Sequence, residues 1–428
     1  AWTPQGFFDA SGPDAEELFG FHVNRGREQA GEFVRASQLR ERFLNPELIA
    51  HRLDADGDER LARAVGQLGD VQHVLAGAHP PKLRIVRDDV QVDASRGTVR
   101  VPLIIEGEAD PETLKVVVNG GSELKPRSAD ASGGKYFVPL ELPAGKTSHL
   151  EFTVSNKRGT QSQPESLDVK MPGQSRLPAL HVLAVGVSNY HDVGLRRGVE
   201  FARHDAETFA KSLTKRSSPL FRTDIEQLPP LLDASRSDIE TALHNAVTRV
   251  QPQDVFVLYL AGHGTAEGTE YYFVPQDAVQ RNRASLLEQS LSGTRLRELL
   301  AAIPASKKLL LLDTCASGAL IPPTRSNDIK TAAELLGRKS GFAILAAADG
   351  DRYALEREGH GVFTMAMLEA LDGREQPKTL RRLTIGALAV YVDRRVPELT
   401  EEYFHVSQIP VVELLRQNFE IASLPEKR

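Results

Sequence analysis

The sequence predicts a mostly parallel α/β domain that follows an all-β module and a small helical segment, and three patterns support this prediction. Before residue 83, stretches such as "ERLARAVGQLG" have apolar positions at helical spacing. Between residues 83 and 172, short runs such as "VRVPLIIEG" and "KYFVPLEL" are β-rich and end in turn residues. After residue 173, apolar strands alternate with helical patterns. We therefore predict domains at 1–82, 83–172 and 173–428.

The β-rich region is typical of an immunoglobulin-like sandwich. Its short strands follow one another closely and are separated by Gly, Pro, Asp and Asn. The breaker-rich stretches "HPPK" and "PGQSRLP" flank it on either side and indicate its boundaries.

The third region predicts a sheet that is covered by helices on both faces. The runs "ALHVLAVGVSNY", "DVFVLYLAGHG" and "KKLLLLDTCASG" are almost continuously apolar, as expected of strands that are buried on both sides. Between them, "GVEFARHDAETFAKSL" has helical periodicity. Ser237 and Glu240 form a capping-box pattern that predicts the start of a second helix.

The bulk composition gives no support for a nucleic-acid or membrane partner. The chain has 52 Lys and Arg against 58 Asp and Glu, a formal charge of −6, and so lacks a basic excess. No apolar run approaches the roughly 20 residues of a membrane span, and no signal-peptide pattern opens the chain. One cysteine cannot form an internal disulfide. We expect a cytoplasmic protein, and the opening without Met suggests a piece of a longer one.

Two of the apolar strands end in a reactive side chain between small neighbours. These are His263, followed by Gly264, and Cys315, the one cysteine of the chain. Ligands of open α/β sheets bind at the carboxyl ends of strands, so both residues should face one crevice. An imidazole activates a thiol and can protonate a leaving amine. A lone cysteine is more often a small buried hydrophobe, but two matched strand ends favour the catalytic interpretation.

These motifs, in this order, resemble a bacterial caspase-like cysteine peptidase of the metacaspase or orthocaspase type in the caspase clan. The likeness extends over about residues 180–422 and includes "VLAVGVSNYHDVGLRRGVEFARHDAETFAKSL" and "FAILAAADGDRYALEREGHGVFTMAMLEAL". It implies a caspase-hemoglobinase-like fold. A weaker likeness, in "WTPQGFFDAS" and "QLRERFLNPELIAHRL", is to the region between a WD-repeat propeller and the peptidase domain of some bacterial proteins. It implies that a propeller precedes this chain.

The resemblance also implies a role for each site residue. Cys315 is the nucleophile and His263 the general acid/base, with no third catalytic side chain. The backbone N–H groups of Gly264 and Cys315 are the oxyanion donors. Metacaspases cleave after Arg or Lys by means of acidic pocket residues, and the matching positions are Asp205 and Asp313. The open alternatives are a helix-surface acid for Asp205 and a strand-end turn acid for Asp313.

Some positions depart from the family pattern. Ala261 stands where many metacaspases have Ser, and Asp254 is the one acid that matches the calcium-binding cluster of calcium-dependent members. A zinc site cannot be built around one cysteine. We therefore predict neither a metal nor a cofactor.

Two classes of function remain open. The first is an endopeptidase that acts on protein substrates and processes itself after Arg325 or Lys330, in a Pro-rich loop. The resemblance links it to bacterial stress, cell death or defence signalling. The second is a catalytically silent scaffold that binds a regulatory partner through the sandwich and the helical segment. Intact motifs at both catalytic positions favour the peptidase.

Overall fold

The computed structural model is a mixed α/β protein, which confirms the predicted class. It describes residues 1–10, 13–24, 27–28, 30–77, 79–121, 123–124, 130–132, 134–316, 326–340, 342–347, 355–357, 359–377, 379–414 and 417–425. The chain divides into two compact units, Ala1–Asn119 with Leu124–Gln174, and Gly120–Glu123 with Ser175–Arg428. The domain boundaries drawn from the sequence stay a prediction.

The first unit combines short helices with antiparallel strands. One sheet contains β11, β10 and β6 in that order, and a second runs β3–β5–β9–β8 with β4 on β5. The helices are α1 (Pro13–Glu16), α2 (Arg40–Phe43), α3 (Pro46–Ala50), α4 (Gly57–Leu68) and α5 (Val71–Gly77). The strands are β1 (Gly20–Val23), β2 (Glu32–Arg35), β3 (Lys82–Ile85), β4 (Gln91–Asp93), β5 (Thr98–Glu106), β6 (Asp110–Val118), β7 (Glu123–Leu124), β8 (Asp130–Ser132), β9 (Lys135–Glu141), β10 (Thr147–Ser155) and β11 (Glu165–Lys170).

The two larger sheets of this unit share one hydrophobic cluster. Val101 and Val138 from one sheet and Val116 and Phe152 from the other are all fully buried in it. This burial follows from the alternation of the strands, which sends every second side chain to the same face.

The second unit contains the remaining elements. Its helices are α6 (Ala202–Ser217), α7 (Arg236–Arg249), α8 (Arg283–Gln289), α9 (Gly293–Ala302), α10 (Ser326–Ser340), α11 (Val362–Leu371) and α12 (Ile385–Phe404). Its strands are β12 (Leu180–Gly186), β13 (Leu231–Leu232), β14 (Val255–Glu267), β15 (Glu270–Phe273), β16 (Leu291–Ser292), β17 (Lys307–Ala316), β18 (Ala343–Ala346), β19 (Glu356–Arg357), β20 (His360–Gly361), β21 (Arg382–Thr384), β22 (Val411–Glu413) and β23 (Glu420–Ser423).

The main sheet of this unit runs β13–β12–β14–β17–β18–β22. Neighbours from β13 to β18 pair in parallel, and β22 is antiparallel to β18. Every residue of β12 is buried, and so is every residue of β14 except the last, Glu267. Strands that are buried on both faces need apolar side chains at nearly every position, which explains their continuous hydrophobic runs.

Helix α6 approaches the sheet closely at the end of β12. A Cβ on Gly186 would lie 2.3 Å from the carbonyl oxygen of Ala202, so a larger residue would push the start of the helix away. This close approach brings the first turn of α6, which contains Asp205, to the carboxyl end of the sheet.

Two local predictions are wrong. The capping box of α7 is formed by Ser235 and Asp238, not by Ser237 and Glu240, because the helix begins at Arg236. Both pairs fit the sequence pattern, and Glu240 instead accepts hydrogen bonds from Arg236 and Arg295.

The predicted processing loop is also different from the structure. Lys330 lies inside α10, because the chain there buries Ala332, Ala333 and Leu336 at helical spacing. Arg325 lies outside the described residues.

Helices α11 and α12 are joined by a buried ion pair. Nε of Arg395 donates to Oε2 of Glu369 at 2.7 Å, Nη2 donates to Oε1 at 3.3 Å, and the Tyr391 hydroxyl donates to Oε2 at 3.0 Å. Both charged side chains are at most 10% exposed.

We expect Glu369→Ala to lower the free energy of unfolding by about 3–5 kcal/mol, because it removes the buried partner of Arg395 and leaves only the more distant, exposed Glu398 carboxylate at 3.4 Å. The matched control is Glu398→Ala, whose carboxylate is 42% exposed and also accepts from Arg395. That variant should lose at most about 1 kcal/mol. Urea unfolding of both variants measures the difference, and equal losses would contradict this account.

Candidate active site

His263 is buried near the carboxyl end of β14, with 2% of its surface exposed. Its Nε2 lies 2.7 Å from the carbonyl oxygen of Leu195. A carbonyl oxygen can only accept, so Nε2 carries the proton and Nδ1 carries a lone pair. Nδ1 is buried and has no hydrogen-bond partner among the described residues. The imidazole therefore offers one unused basic nitrogen.

Burial lowers the pKa of His263 to about 4, because the charged ring would lose its hydration. The hydrogen bond to the Leu195 carbonyl and the charge of Glu200 oppose this effect but are weaker. The ring is therefore neutral at neutral pH, which is the state in which a histidine can act as a base.

Tyr190 supports the backbone at His263. Its hydroxyl accepts from the His263 N–H at 2.9 Å and donates to the Val274 carbonyl at 3.3 Å. Its ring centroid lies 5.1 Å from the imidazole. A Cβ on Gly262 would lie 2.8 Å from this hydroxyl, and Gly262 also has a φ of +143°, so glycine is required there.

The Leu195 carbonyl is presented by a short 3₁₀ turn, Val193–Arg196. Asp192 anchors the turn, because its Oδ1 accepts from Gly194 N–H and its Oδ2 from Gln280 N–H, both at 2.9 Å. Arg196 closes the loop by donating Nε–H to the Tyr190 carbonyl at 2.8 Å. The partner of Nε2 is therefore held in place by the loop itself.

Strand β17 brings Cys315 next to His263. The parallel register pairs the backbone of His263 with that of Cys315, and Gly264 with Ala316. The Cys315 side chain lies outside what the structure describes. A Cβ on Gly264 would lie 2.7 Å from Oγ1 of Thr314 and 3.2 Å from the Tyr271 hydroxyl, so the close packing requires glycine there.

The two predicted pocket acids lie close together. Oδ2 of Asp205 and Oδ2 of Asp313 lie 3.3 Å and 3.2 Å from the point where a Cβ on Gly361 would stand. Asp205 is 2% exposed, so it is not the helix-surface acid of the alternative interpretation. Asp313 accepts hydrogen bonds from Thr364 and, at 3.2 Å, from the Tyr259 hydroxyl.

Both carboxyl groups hold their protons more tightly than usual. Burial raises the pKa of Asp205, although hydrogen bonds from His360 and Gly361 oppose the shift. Burial, followed by the charge of Asp205, raises the pKa of Asp313 to about 7. A cation bound between them would favour the ionised form of both groups.

Sequence reasoning missed several residues of this site. His360 donates Nδ1–H to Oδ1 of Asp205 at 2.6 Å, and the Gly361 N–H donates to Oδ2 at 2.9 Å. Glu356 accepts from the Phe201 N–H at 3.1 Å, and burial together with neighbouring Glu200 raises the pKa of Glu356 to about 8. The signal was the polar "EREGHG" before an apolar helix, which parallels "AGHG" at His263.

Asp254, the predicted counterpart of a calcium ligand, lies at the opposite end of β14. Its carboxylate accepts from Ala179 N–H at 2.8 Å and Gln251 N–H at 2.9 Å, and contacts His181 Nε2 at 3.1 Å. Asp254 therefore links the starts of neighbouring strands.

Within the described residues, no three His, Cys, Asp or Glu side chains are arranged to hold a metal ion. None of the helices described there has the length and apolar character that crossing a bilayer requires.

Comparison with known proteins gives a family match. Residues 180–420 match the family model described as the caspase domain. No curated protein sequence is significantly similar to the chain. The solved structure of pro-sf-caspase-1 is 12% identical, with coverage of 57% of this chain and 93% of that chain and a TM-score of 0.31.

Two other solved structures are also similar at a low level. Raptor from Chaetomium thermophilum is 12% identical, with coverage of 46% and 18% of the two chains and a TM-score of 0.26. A polysaccharide deacetylase from Bacillus cereus is 9% identical, with coverage of 61% and 79% and a TM-score of 0.17. At these TM-scores the structural likenesses carry no argument.

The buried His263 should make the fold sensitive to acid. Below about pH 6.5 the unfolded chain protonates this histidine, whereas the folded chain does so only near the lowered pKa of about 4. Stability is therefore lost as the pH falls through this window. Between pH 7 and pH 4, we expect the free energy of unfolding of His263→Asn to fall by about 3 kcal/mol less than that of the wild type.

Urea unfolding at both pH values measures this difference. The control is His244→Asn on α7, where the imidazole is exposed and should change nothing. A pH dependence of His263→Asn equal to that of the wild type would contradict the buried neutral state.

Proposed function

Because this chain belongs to the caspase domain family, we propose that it is a cysteine endopeptidase that cleaves protein substrates after Arg, and also after Lys. Cys315 is the nucleophile and His263 the general acid/base. The observation that carries the proposal is the buried Nδ1 of His263, which has no partner within the described part of the chain, on a residue in register with Cys315. The backbones of adjacent strands lie about 4.8 Å apart, so that paired side chains can come within the hydrogen-bond reach that a thiol and an imidazole need for proton transfer.

The proposed reaction follows from the protonation state of His263. Nδ1 accepts the thiol proton as sulfur attacks the scissile carbonyl, and the N–H groups of Gly264 and Cys315 stabilise the oxyanion. Nδ1–H then protonates the leaving amine. In the second half-reaction Nδ1 takes a proton from water as the water oxygen attacks the thioester carbonyl. The C–S bond then breaks, Nδ1–H returns the proton to the sulfur, and the carboxylic acid product leaves. Throughout, Nε2–H stays bonded to the Leu195 carbonyl, which stabilises the imidazolium.

Asp205 and Asp313 support specificity for basic residues. A guanidinium can bind two carboxylates through its planar fork, whereas an acidic substrate side chain is repelled. The raised pKa of Asp313, about 7, means that the empty pocket carries less than its full negative charge at neutral pH. A bound Arg side chain would release that proton.

Other parts of the proposal have different grounds. Resemblance supports the metacaspase type, a preceding propeller and a role in bacterial stress, cell death or defence signalling. The spacing of the β-rich runs supports the immunoglobulin-like assignment, and the sequence composition supports a cytoplasmic location. We also propose that a regulatory protein binds the first unit. The alternative, a silent scaffold, is less favoured because both catalytic residue types are present.

The purified chain should hydrolyse fluorogenic peptides that end in Arg about a thousandfold more efficiently than identical peptides that end in Asp, since like-charge contacts cost several kcal/mol. Cys315→Ala should abolish hydrolysis. Asp313→Asn, which keeps the size but not the charge, should lower cleavage after Arg. Values of kcat/KM measure each effect.

The matched control for the pocket is Asp224→Asn, an exposed acid paired with Arg222, which should retain wild-type activity. Efficient cleavage after Asp would refute the pocket assignment. Activity that survives in Cys315→Ala would refute the mechanism.

We further expect self-cleavage after Arg325 rather than after Lys330. A peptidase binds its substrate in an extended form, and Lys330 lies inside α10, which would have to unwind first. Intact mass after incubation identifies the cut. Fragments that form equally in Cys315→Ala would come from a contaminant, and fragments that end at Lys330 would contradict this choice.

A further inference from the structure

Asp205 is held by β20 rather than by its own helix. Oδ1 accepts from Nδ1 of His360 at 2.6 Å, and Oδ2 accepts from the Gly361 N–H at 2.9 Å. An ionised carboxylate has only acceptor sites, so Nδ1 of His360 carries the proton of this bond. Each carboxylate oxygen keeps a second lone pair for another donor.

The His360 ring is itself fixed in orientation. It stacks on the ring of His204, with centroids 4.9 Å apart and an interplanar angle of 24°. Its side chain is 20% exposed, so most of the ring is covered. The ring therefore cannot rotate freely without losing either the stack or the bond to Asp205.

The strand pair that contains His360 is also attached to α6. Strand β19 pairs with β20, with Glu356 opposite Gly361. Glu356 accepts from the N–H of Phe201, which precedes α6. The β19–β20 pair therefore contacts the start of α6 through three residues, Glu356, His360 and Gly361.

Gly361 leaves the space between the two acids open. A Cβ at this position would approach Asp205 and Asp313 within 3.3 Å. The bonds from His360 and from the Gly361 N–H thus together set the position of one carboxylate relative to the other. Asp313 has its own partners, Thr364 and Tyr259, and does not depend on His360.

We propose that His360 is a specificity-determining positioning residue that turns Asp205 toward Asp313, so that the two carboxylates receive an Arg guanidinium in preference to a Lys ammonium. This inference rests on the proposed function, because it concerns the same pocket. An Arg fork uses two correctly spaced carboxylates, whereas a Lys point charge is satisfied by one. Misplacing Asp205 therefore weakens Arg recognition more than Lys recognition.

The first test compares His360→Leu with His360→Asn. The Leu variant removes the donor, and we expect kcat/KM for an Arg peptide to fall at least tenfold, mainly through KM. For the Lys peptide we expect less than a threefold change. His360→Asn keeps a side-chain N–H near the position of Nδ1 and should stay within about threefold of the wild type. A role in folding alone would instead lower kcat for both peptides equally and overturn the proposal.

The control for these variants is His244→Leu on α7. This imidazole is exposed and bonds to the Glu240 carbonyl of its own helix, so its loss should leave the Arg/Lys ratio unchanged. A ratio that falls in this control as much as in His360→Leu would overturn the assignment to His360.

A double-mutant cycle tests whether His360 acts through Asp205. Asp205→Asn alone should also lower the Arg/Lys ratio, and adding His360→Leu should lower it little further, because both changes remove one interaction. Fully additive effects would overturn the proposal. If His360→Leu does not fold, Asp205→Asn and His360→Asn still decide it, since only the first should lose the preference for Arg.

A binding measurement separates this inference from the proposed activity. In the Cys315→Ala background no turnover is needed, and fluorescence anisotropy gives the Kd of a labelled peptide that ends in Arg. We expect His360→Leu to weaken this binding at least tenfold. If His360→Leu weakens binding but the wild type does not hydrolyse the peptides, the proposed peptidase activity is refuted and the inference stands. If the wild type cleaves after Arg but His360→Leu leaves the Arg/Lys ratio unchanged, only the inference is refuted. If the protein shows no binding and no hydrolysis, both are refuted.

Discussion

The parallel pairing of β14 with β17 is the constraint on which the site depends. Its register brings the backbone of His263 beside that of Cys315, and a slip of one residue would instead pair His263 with Thr314 or Ala316. Gly264 lets β14 lie close to Thr314 of β17, and Gly262 lets the chain pass the Tyr190 hydroxyl, because neither residue has a Cβ. Apolar side chains along both strands hold this register, since a slip of one residue would disturb their packing on both faces.

Burial then sets the chemistry of the groups at the strand ends. Removing water from His263 lowers its pKa, and removing water from Asp313 and Glu356 raises theirs, so that all three favour the neutral form. A neutral imidazole whose Nδ1 has no partner among the residues that the structure describes is suited to take a proton from a thiol. A pair of acids that are short of a cation is suited to take one from a substrate. Burial is therefore the common cause of the neutral imidazole and of the raised pKa values of the acids.

Asp205 has a second role as a link within the second unit. It lies on α6, whereas its partners His360 and Gly361 lie on β20, more than 150 residues later in the chain. Its charge also raises the pKa of Asp313 on β17. These interacting groups thus come from three elements that are distant in sequence, and a change on any one of them alters the electrostatic field around the two acids.

The sequence by itself indicated the mixed α/β class and the apolar strands, because strand burial is a local pattern. It also proposed Cys315, His263, Asp205 and Asp313 as site residues from compact motifs, and this assignment stays a prediction. It misjudged what depends on position along a helix, such as the start of α7 and the location of Lys330, since neighbouring Ser and acid pairs compete for one cap. It could not reveal the Leu195 carbonyl, because a main-chain oxygen has no residue type to recognise. Tyr190 and His360 escaped as well, since their roles arise from contacts 73 and 155 residues away. Only the tertiary structure decided these, because long-range packing, not local spacing, determines which buried polar atoms meet.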